Sequence, residues 1–245
     1  MPRASPRSAW KKSRQKNTDV LDQESQAVVP ASAGSLKISE IFHSLQGETR
    51  TVGIPTVFVR LTGCPLRCHY CDTTHAFSGG QRWTLEAIRD EVRRYPVRHV
   101  TVTGGEPLAQ PACLDLLRML ADEGYEVSLE TSGAFPVDQV DSRVVRVFDL
   151  KTPDSGEVHR NRLDQLPLLT MRDQVKFVIM SEADYAWAVA VCQEYDLPSH
   201  CEVLFSAAEG WLAGRPLAEW ILRDGLPVRF QIQLHKILWG DETGR

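Results

Sequence analysis

From residue 36 onward, short apolar runs alternate with amphipathic stretches. Residues 56–61 (TVFVRL), 99–103 (HVTVT), 125–130 (YEVSLE), 143–150 (RVVRVFDL), 174–179 (QVKFVI), 202–205 and 228–233 are short and rich in β-branched or aromatic side chains. Each reads as a strand. Residues 84–95 place Leu85, Ile88 and Val92 at helical spacing behind Thr84 as N-cap. Residues 111–123 carry Leu114, Leu117, Met119 and Leu120 on a helix that stops at Gly124. Further helices are predicted across 182–195 and near 216–223. Strand and helix repeated in this way imply an α/β fold with a parallel sheet and right-handed crossovers. Six or seven strands are too few for a closed eight-stranded barrel. The expectation is an incomplete TIM-type barrel of about six parallel strands. Function belongs at the C-terminal ends of such strands.

Residues 1–35 break the pattern. Arg3, Arg7, Lys11, Lys12, Arg14 and Lys16 precede the first acid, Asp19, and no helical or strand period emerges. The segment reads as a disordered basic extension, with a contact to RNA as the sharper alternative. The whole chain of 245 residues carries 28 Lys plus Arg against 32 Asp plus Glu, for a net charge of −4. The basic character is therefore local, and bulk charge does not suit this chain to nucleic acid. At 42% hydrophobic and 24% charged residues, the sequence supports a sizeable core and excludes wholesale disorder. No run of ~18 apolar residues suggests a transmembrane helix, and no apolar signal-peptide core opens the chain.

Six cysteines change the picture more than charge does. Cys64, Cys68 and Cys71 fall within eight residues, directly after the first predicted strand. Without an export signal, a cytoplasmic, reducing setting is expected, and a disulfide scaffold is not. Three thiolates on one short C-x3-C-x2-C loop can take three corners of an iron–sulfur cluster and leave one iron open. A structural zinc is the competing reading, with His69 or His75 as its fourth ligand. A single C-x2-C unit lacks the partner unit that zinc knuckles usually have. Cys113, Cys192 and Cys201 have no such context and read as packing residues. Thr103-Gly104-Gly105-Glu106-Pro107 follows the next strand, where glycines permit close backbone approach and Glu106 offers an acceptor. Arg60 interrupts an otherwise apolar strand and needs an anionic partner, either an internal salt bridge or a bound carboxylate.

The cysteine loop with Tyr70 before its last cysteine, followed one strand later by the GGEP turn, resembles the radical S-adenosylmethionine superfamily. The resemblance implies a [4Fe-4S] cluster whose open iron holds S-adenosylmethionine, and hydrogen abstraction by a 5′-deoxyadenosyl radical. Further segments narrow it. They are Glu40 to Glu48 (EIFHSLQGE), Cys71-Asp72-Thr73, Glu130-Thr131-Ser132-Gly133, Asp149 to Pro153 (DLKTP) and Gln233 to Gly240 (QLHKILWG). Together they resemble the 7-carboxy-7-deazaguanine synthases of queuosine and deazapurine biosynthesis, over nearly all of residues 36–241. That family contracts 6-carboxy-5,6,7,8-tetrahydropterin to 7-carboxy-7-deazaguanine with loss of ammonia, assisted by Mg2+. Residues 36–245 are then one catalytic domain, to which the basic arm adds nothing that the family explains.

The resemblance also implies roles. Cys64, Cys68 and Cys71 match cluster ligands, and Thr73 matches a magnesium ligand. Leu45, Gln46, Gly47, Glu48, Arg60, Thr103 and His235 match substrate positions, with Arg60 on the substrate carboxylate. Tyr70, Cys71, Asp72, Gly105, Glu106, Ser132, Asp149, Leu150, Lys151, Ser206, Ala207, Ala208 and Glu209 match cofactor-lining positions. A small pterin substrate, a reductant such as flavodoxin or ferredoxin, and a homodimer are the implied partners. No membrane or direct nucleic-acid partner is expected. Two other readings stay open. One is an activase of the same superfamily that places a glycyl radical on a protein partner. The other is a zinc protein that uses its basic arm on RNA.

Overall fold

The computed structural model describes residues 34–240, together with Glu242 and Gly244. The disorder expected of residues 1–35 falls almost wholly outside the described residues. Ser35, however, already begins the first strand, so the folded body starts earlier than expected.

Among the described residues, nine strands form one sheet. They are β1 (Ser35–Leu45), β2 (Pro55–Leu61), β3 (Gln81–Thr84), β4 (His99–Gly104), β5 (Glu126–Thr131), β6 (Val145–Leu150), β7 (Gln174–Ile179), β8 (Glu202–Ala207) and β9 (Arg229–Gln231). Their order is β3-β1-β2-β4-β5-β6-β7-β8-β9. From β2 to β9 every pairing is parallel, while β1 runs antiparallel to both β2 and β3. The sheet is open, as an incomplete barrel requires, with all seven expected parallel strands in sequence order. β1 and β3 were not expected. β1 lacks a clean inside–outside alternation because it lies near the margin of the sheet and both its faces are partly covered. The segment read as preceding the first strand is therefore itself a strand, and Phe42 stacks on its register partner Phe58 at 4.9 Å.

Five helices are described: α1 (Leu85–Val92), α2 (Cys113–Asp122), α3 (Glu182–Glu194), α4 (Gly214–Asp224) and α5 (Leu234–Trp239). Thr84 caps α1 by accepting the Ala87 N–H, as its position predicts. Gly124 has φ +84° beyond the end of α2, which suits glycine. Helix α5 occupies sequence that gave no helical signal, and the strand expected over 228–233 shortens to β9. Among the described residues no helix is long and apolar enough to cross a membrane.

The core lies between the sheet and its helices. Phe148, Phe177 and Phe205 are fully buried, and Phe177 meets Phe205 edge-on at 5.5 Å. Each such side chain contributes about 1.5–3 kcal/mol through burial. Cys113, Cys192 and Cys201 are buried in this core, as packing residues should be. One buried carboxylate ties the core to the rim. Asp184, in the first turn of α3, accepts from Thr152 Oγ1 at 2.9 Å, Asp154 N at 2.9 Å and Met180 N at 3.1 Å. It thereby fixes the chain leaving β6 against the start of α3.

Asp184→Ala leaves those three buried donors without their acceptor, so a loss of about 3 kcal/mol in urea unfolding is expected. A loss below about 0.5 kcal/mol, the size of an ordinary surface substitution, would show that solvent replaces the carboxylate.

Candidate active site

The carboxyl ends of β2, β4, β5, β6 and β7 open into one cavity of about 350 Å³. Its first wall is the cysteine loop. Leaving β2, the chain turns at Gly63, whose φ of +103° is a left-handed value. Gly63 N donates to Ala76 O at 2.8 Å, and Glu106 N donates to Gly63 O at 2.7 Å. A Cβ on Gly105 would fall 2.2 Å from Gly63 O, and one on Gly104 2.2 Å from Leu61 O. The two glycines are thus required first by the backbone of the cysteine loop, which lies against them. The back of the loop is held by residues 154–157. His69 N donates to Ser155 O, the His69 ring meets Asp154 O at 2.7 Å, and Arg67 N donates to Glu157.

Cys64, Cys68 and Cys71 are free, half-buried thiols that line the cavity. Burial pushes all three up, Cys68 to about 11, while the nearby Lys151 ammonium pulls the other way. Such thiols become thiolates when a metal supplies the opposing charge. Among the described residues, no three His, Cys, Asp or Glu side chains gather around a single ion. The donor set fits a cluster held at three corners better than a closed four-ligand zinc site. Tyr70 lines the same wall, and its buried hydroxyl has no hydrogen-bond partner among the described residues. An orphaned donor there fits a site shaped for a further polar molecule.

The GGEP turn departs from expectation in one respect. Glu106 is fully buried and does not line the cavity. Its carboxylate accepts from Leu108 N, Thr131 Oγ1, and both N and Oγ of Ser132, at 2.5–3.0 Å. All of its acceptor capacity is directed to the chain, so it fixes the turn after β5 and presents Ser132 to the cavity. Leu150, Ser206 and Ala207 also sit outside the wall: Leu150 is in the core and Ser206 is buried within β8. Gly105, Ser132, Asp149, Lys151, Ala208 and Glu209 do line it, beside Tyr70, Cys71 and Asp72.

The opposite wall is polar and charged. Gln46 is 2% exposed. Its Nε2 donates to Thr101 Oγ1 at 3.2 Å and Glu130 Oε1 at 3.3 Å, while its Oε1 accepts from Glu48 N. Thr103 Oγ1 donates to Glu130 Oε2 at 3.1 Å. Lys176 Nζ lies 2.5 Å from Glu48 Oε2 and 3.3 Å from Asp149 Oδ2, and Lys151 Nζ lies 2.8 Å from Asp149 Oδ1. Burial raises the Glu130 carboxyl. Burial also acts to raise Asp149, but the two lysines outweigh it and hold that group low. Burial opposes the charge on Lys151 and Lys176, and their carboxylate neighbours outweigh it and hold both protonated.

His235 enters from α5. Leu234 N donates to Gly47 O at 2.9 Å, and a Cβ on Gly47 would strike the His235 ring at 2.2 Å. Gly47 is therefore what admits His235 to the cavity; burial lowers the pKa of its imidazole. Thr73 lies at the rim, its hydroxyl donating to Asp72 Oδ1 at 2.7 Å, and Gln233 Nε2 reaches Asp72 Oδ2 at 3.2 Å. Arg60 has the internal salt bridge that its sequence context offered. Its Nε meets Glu40 Oε1 at 2.7 Å, and His75 approaches the same oxygen at 3.2 Å. Arg60 also lines the cavity, so the pairing positions the guanidinium and does not remove it from the site.

Lys176, Glu130, Gln233, Phe42 and Phe58 also line the cavity, although the sequence assigns them no role in a site. One of them carried the signal that marked Arg60, a charge inside an apolar strand: QVKFVI holds Lys176 in that way, whereas Glu130 is one of the regular polar positions of YEVSLE.

Comparison with known proteins agrees with this arrangement. The radical SAM superfamily model matches residues 58–144, which take in the second half of β2, the cysteine loop and the GGEP turn. A 7-carboxy-7-deazaguanine synthase from Chlorobaculum tepidum is 44% identical over 211 residues, covering 85% of this chain and 96% of its own length. One from Koribacter versatilis is 40% identical over 223 residues, covering 85% and 99%. The crystal structure of QueE from Escherichia coli superposes with a TM-score of 0.69 at 22% identity, over 81% of this chain and 94% of that one. The last likeness concerns the fold, and the first two concern the sequence. Identity at that level across almost the full length of its relatives means that the chain belongs to the 7-carboxy-7-deazaguanine synthase family.

Proposed function

We propose that this chain is a radical S-adenosylmethionine lyase that contracts 6-carboxy-5,6,7,8-tetrahydropterin to 7-carboxy-7-deazaguanine and releases ammonia. The observation that carries the reading is one cavity with two unlike walls. Three cysteine thiols stand on one side, and a fixed set of hydrogen-bonding and charged groups stands on the other. When bound, a [4Fe-4S] cluster on Cys64, Cys68 and Cys71 with S-adenosylmethionine supplies a 5′-deoxyadenosyl radical for hydrogen abstraction. The rest is binding and orientation by the chain.

A pterin ring presents alternating donors and acceptors along one edge. Gln46, Glu48 and Glu130 offer a matching set of side-chain groups, with Thr103 orienting Glu130. Arg60, held by Glu40, is assigned to the substrate carboxylate, which a guanidinium can grip in bidentate fashion. His235, packed on Gly47, lines the same cavity. Asp72 and Thr73 provide hard oxygens at the rim for Mg2+, with waters or substrate oxygens completing its shell. Lys151 approaches Tyr70 of the cysteine loop, and it is assigned to the cofactor together with Ser132 and Asp149, which line the same cavity. An activase that receives a partner's backbone loop is less well supported, because buried charges line this cavity at the scale of a small anion. A flavodoxin- or ferredoxin-like reductant and a homodimer remain parts of the proposal that rest on the family alone.

The direct test is anaerobic turnover after cluster reconstitution, with S-adenosylmethionine, Mg2+, a reductant and the carboxypterin, followed by mass spectrometry. Appearance of the deazaguanine carboxylate with ammonia supports the reading. Cofactor cleavage without that product would reject the substrate assignment. Cys68→Ala is expected to lose both the visible absorption of the cluster and turnover. Retained cofactor cleavage would refute the ligand assignment. Arg60→Ala should raise the substrate KM by on the order of tenfold with cluster absorption unchanged, as loss of a charged hydrogen bond implies. An unchanged KM would leave Arg60 as a partner of Glu40 alone. Removing residues 1–33 is expected to leave kcat and KM as they are, and a large fall in either would assign the arm a part in the reaction.

A further inference from the structure

We propose that Lys176 is a positioning residue: its ammonium clamps Glu48 on the substrate side and Asp149 on the cofactor side, and so aligns the two halves of the cavity. The inference deepens the proposed function and rests on it for the identity of the substrate. Lys176 is central on β7, paired in register with Asp149 of β6 and Leu204 of β8. Its neighbours Val175 and Phe177 point to the opposite face and are buried in the core. Lys176 points the other way, into the cavity, with 12% of its side chain exposed.

There the charges alternate in a row. Glu48 meets Lys176, Lys176 meets Asp149, and Asp149 meets Lys151. The row runs from the turn that holds Gln46 and Gly47 to the cysteine loop, where Lys151 Nζ lies 5.6 Å from the Tyr70 ring centre. Glu48 is on the connection after β1 and Asp149 is on β6, so no backbone pairing relates them. Lys176 joins them through its side chain. An ammonium has three donor directions, and two are accounted for by these carboxylates.

A role in stability alone does not account for the row. Buried ion pairs gain little over apolar residues of similar size, while removal of one partner is costly. Val178, two residues along β7, also faces the cavity, so the strand accommodates apolar side chains there. The charges stand where a bound molecule meets them. A carboxylate that is oriented before binding loses less freedom on contact, which lowers the cost of association.

The test uses Lys176→Met, which keeps the chain length and removes the charge, and Lys176→Arg, which keeps the charge. Both are compared with the reconstituted wild-type enzyme. Calorimetry measures the Kd of S-adenosylmethionine and of the carboxypterin separately, steady-state kinetics gives kcat and KM, and thermal melting reports folding. Lys176→Met is expected to weaken both ligands by on the order of tenfold each, and to raise KM more than it lowers kcat. Lys176→Arg should recover part of both affinities. If Lys176→Met melts lower yet binds both ligands like wild type, the residue is structural and the proposal falls. If Lys176→Met does not fold, Glu48→Gln combined with Lys176→Met removes both charges of the closest pair, and the S-adenosylmethionine affinity decides. Failure of the wild type to bind the pterin would overturn the substrate reading instead. The Asp149 arm is then read on S-adenosylmethionine, and an unchanged affinity in Lys176→Met refutes the clamp.

Discussion

The close approach of two backbones at the end of β4 governs the geometry of this site. Gly104 and Gly105 lie so near Leu61 and Gly63 that no side chain fits between them. Glu106 N then donates to Gly63 O, locking the root of the cysteine loop to the next strand. The Glu106 carboxylate extends the connection to β5 by collecting four donors from Leu108, Thr131 and Ser132. Three consecutive strand ends are thus set relative to one another by backbone contacts and one buried carboxylate. The thiols inherit their positions from that frame. A Cβ at either glycine would move the loop by more than a hydrogen bond tolerates.

A second constraint is charge. The cavity gathers Glu48, Glu130, Asp149, Lys151, Lys176 and Arg60 at low exposure, and unpaired burial of any one would be costly. Pairing resolves this for Glu48, Asp149 and the two lysines. Arg60 is resolved by Glu40 from the antiparallel β1. Glu130 is the exception: its hydrogen bonds among the described residues come from neutral groups, Gln46 and Thr103, and burial raises its carboxyl against the opposing pull of the nearby Lys176 and Arg60 charges. The site therefore combines the Asp149 carboxyl, held low, with the Glu130 carboxyl, pushed up, within one cavity. Environments that separate the titration of like groups are typical of functional sites.

Much of this was legible in the sequence because it depended on local signals. Period-two and period-3.6 patterns located the seven parallel strands and four of the helices. The spacing of Cys64, Cys68 and Cys71, followed by GGEP one strand later, marked the thiol wall. What escaped notice depended on long-range partners. β1 is stabilised by antiparallel pairing with β2 and β3, and its partly covered faces blur the alternation. α5 is short and takes its place by docking on Gly47. Glu106 looked like an acceptor for a ligand, because no sequence pattern reveals that Thr131 and Ser132 lie within reach.

Arg60 and Lys176 show how far one rule extends. Each is a cation in an apolar strand, and each faces the cavity beside a carboxylate from a distant segment. For Arg60 the question was whether an internal partner or a bound anion satisfies it. The structure makes the alternatives compatible: Glu40 accepts from Nε, and the side chain still lines the cavity. A guanidinium has five N–H donors, so one partner does not exhaust it. Lys176 is more fully committed, since its two carboxylates occupy most of its donor directions. The difference separates their parts in the site. A cation with donors to spare is suited to grip an anion, whereas one whose donors are mostly taken up is suited to hold its own neighbours in place.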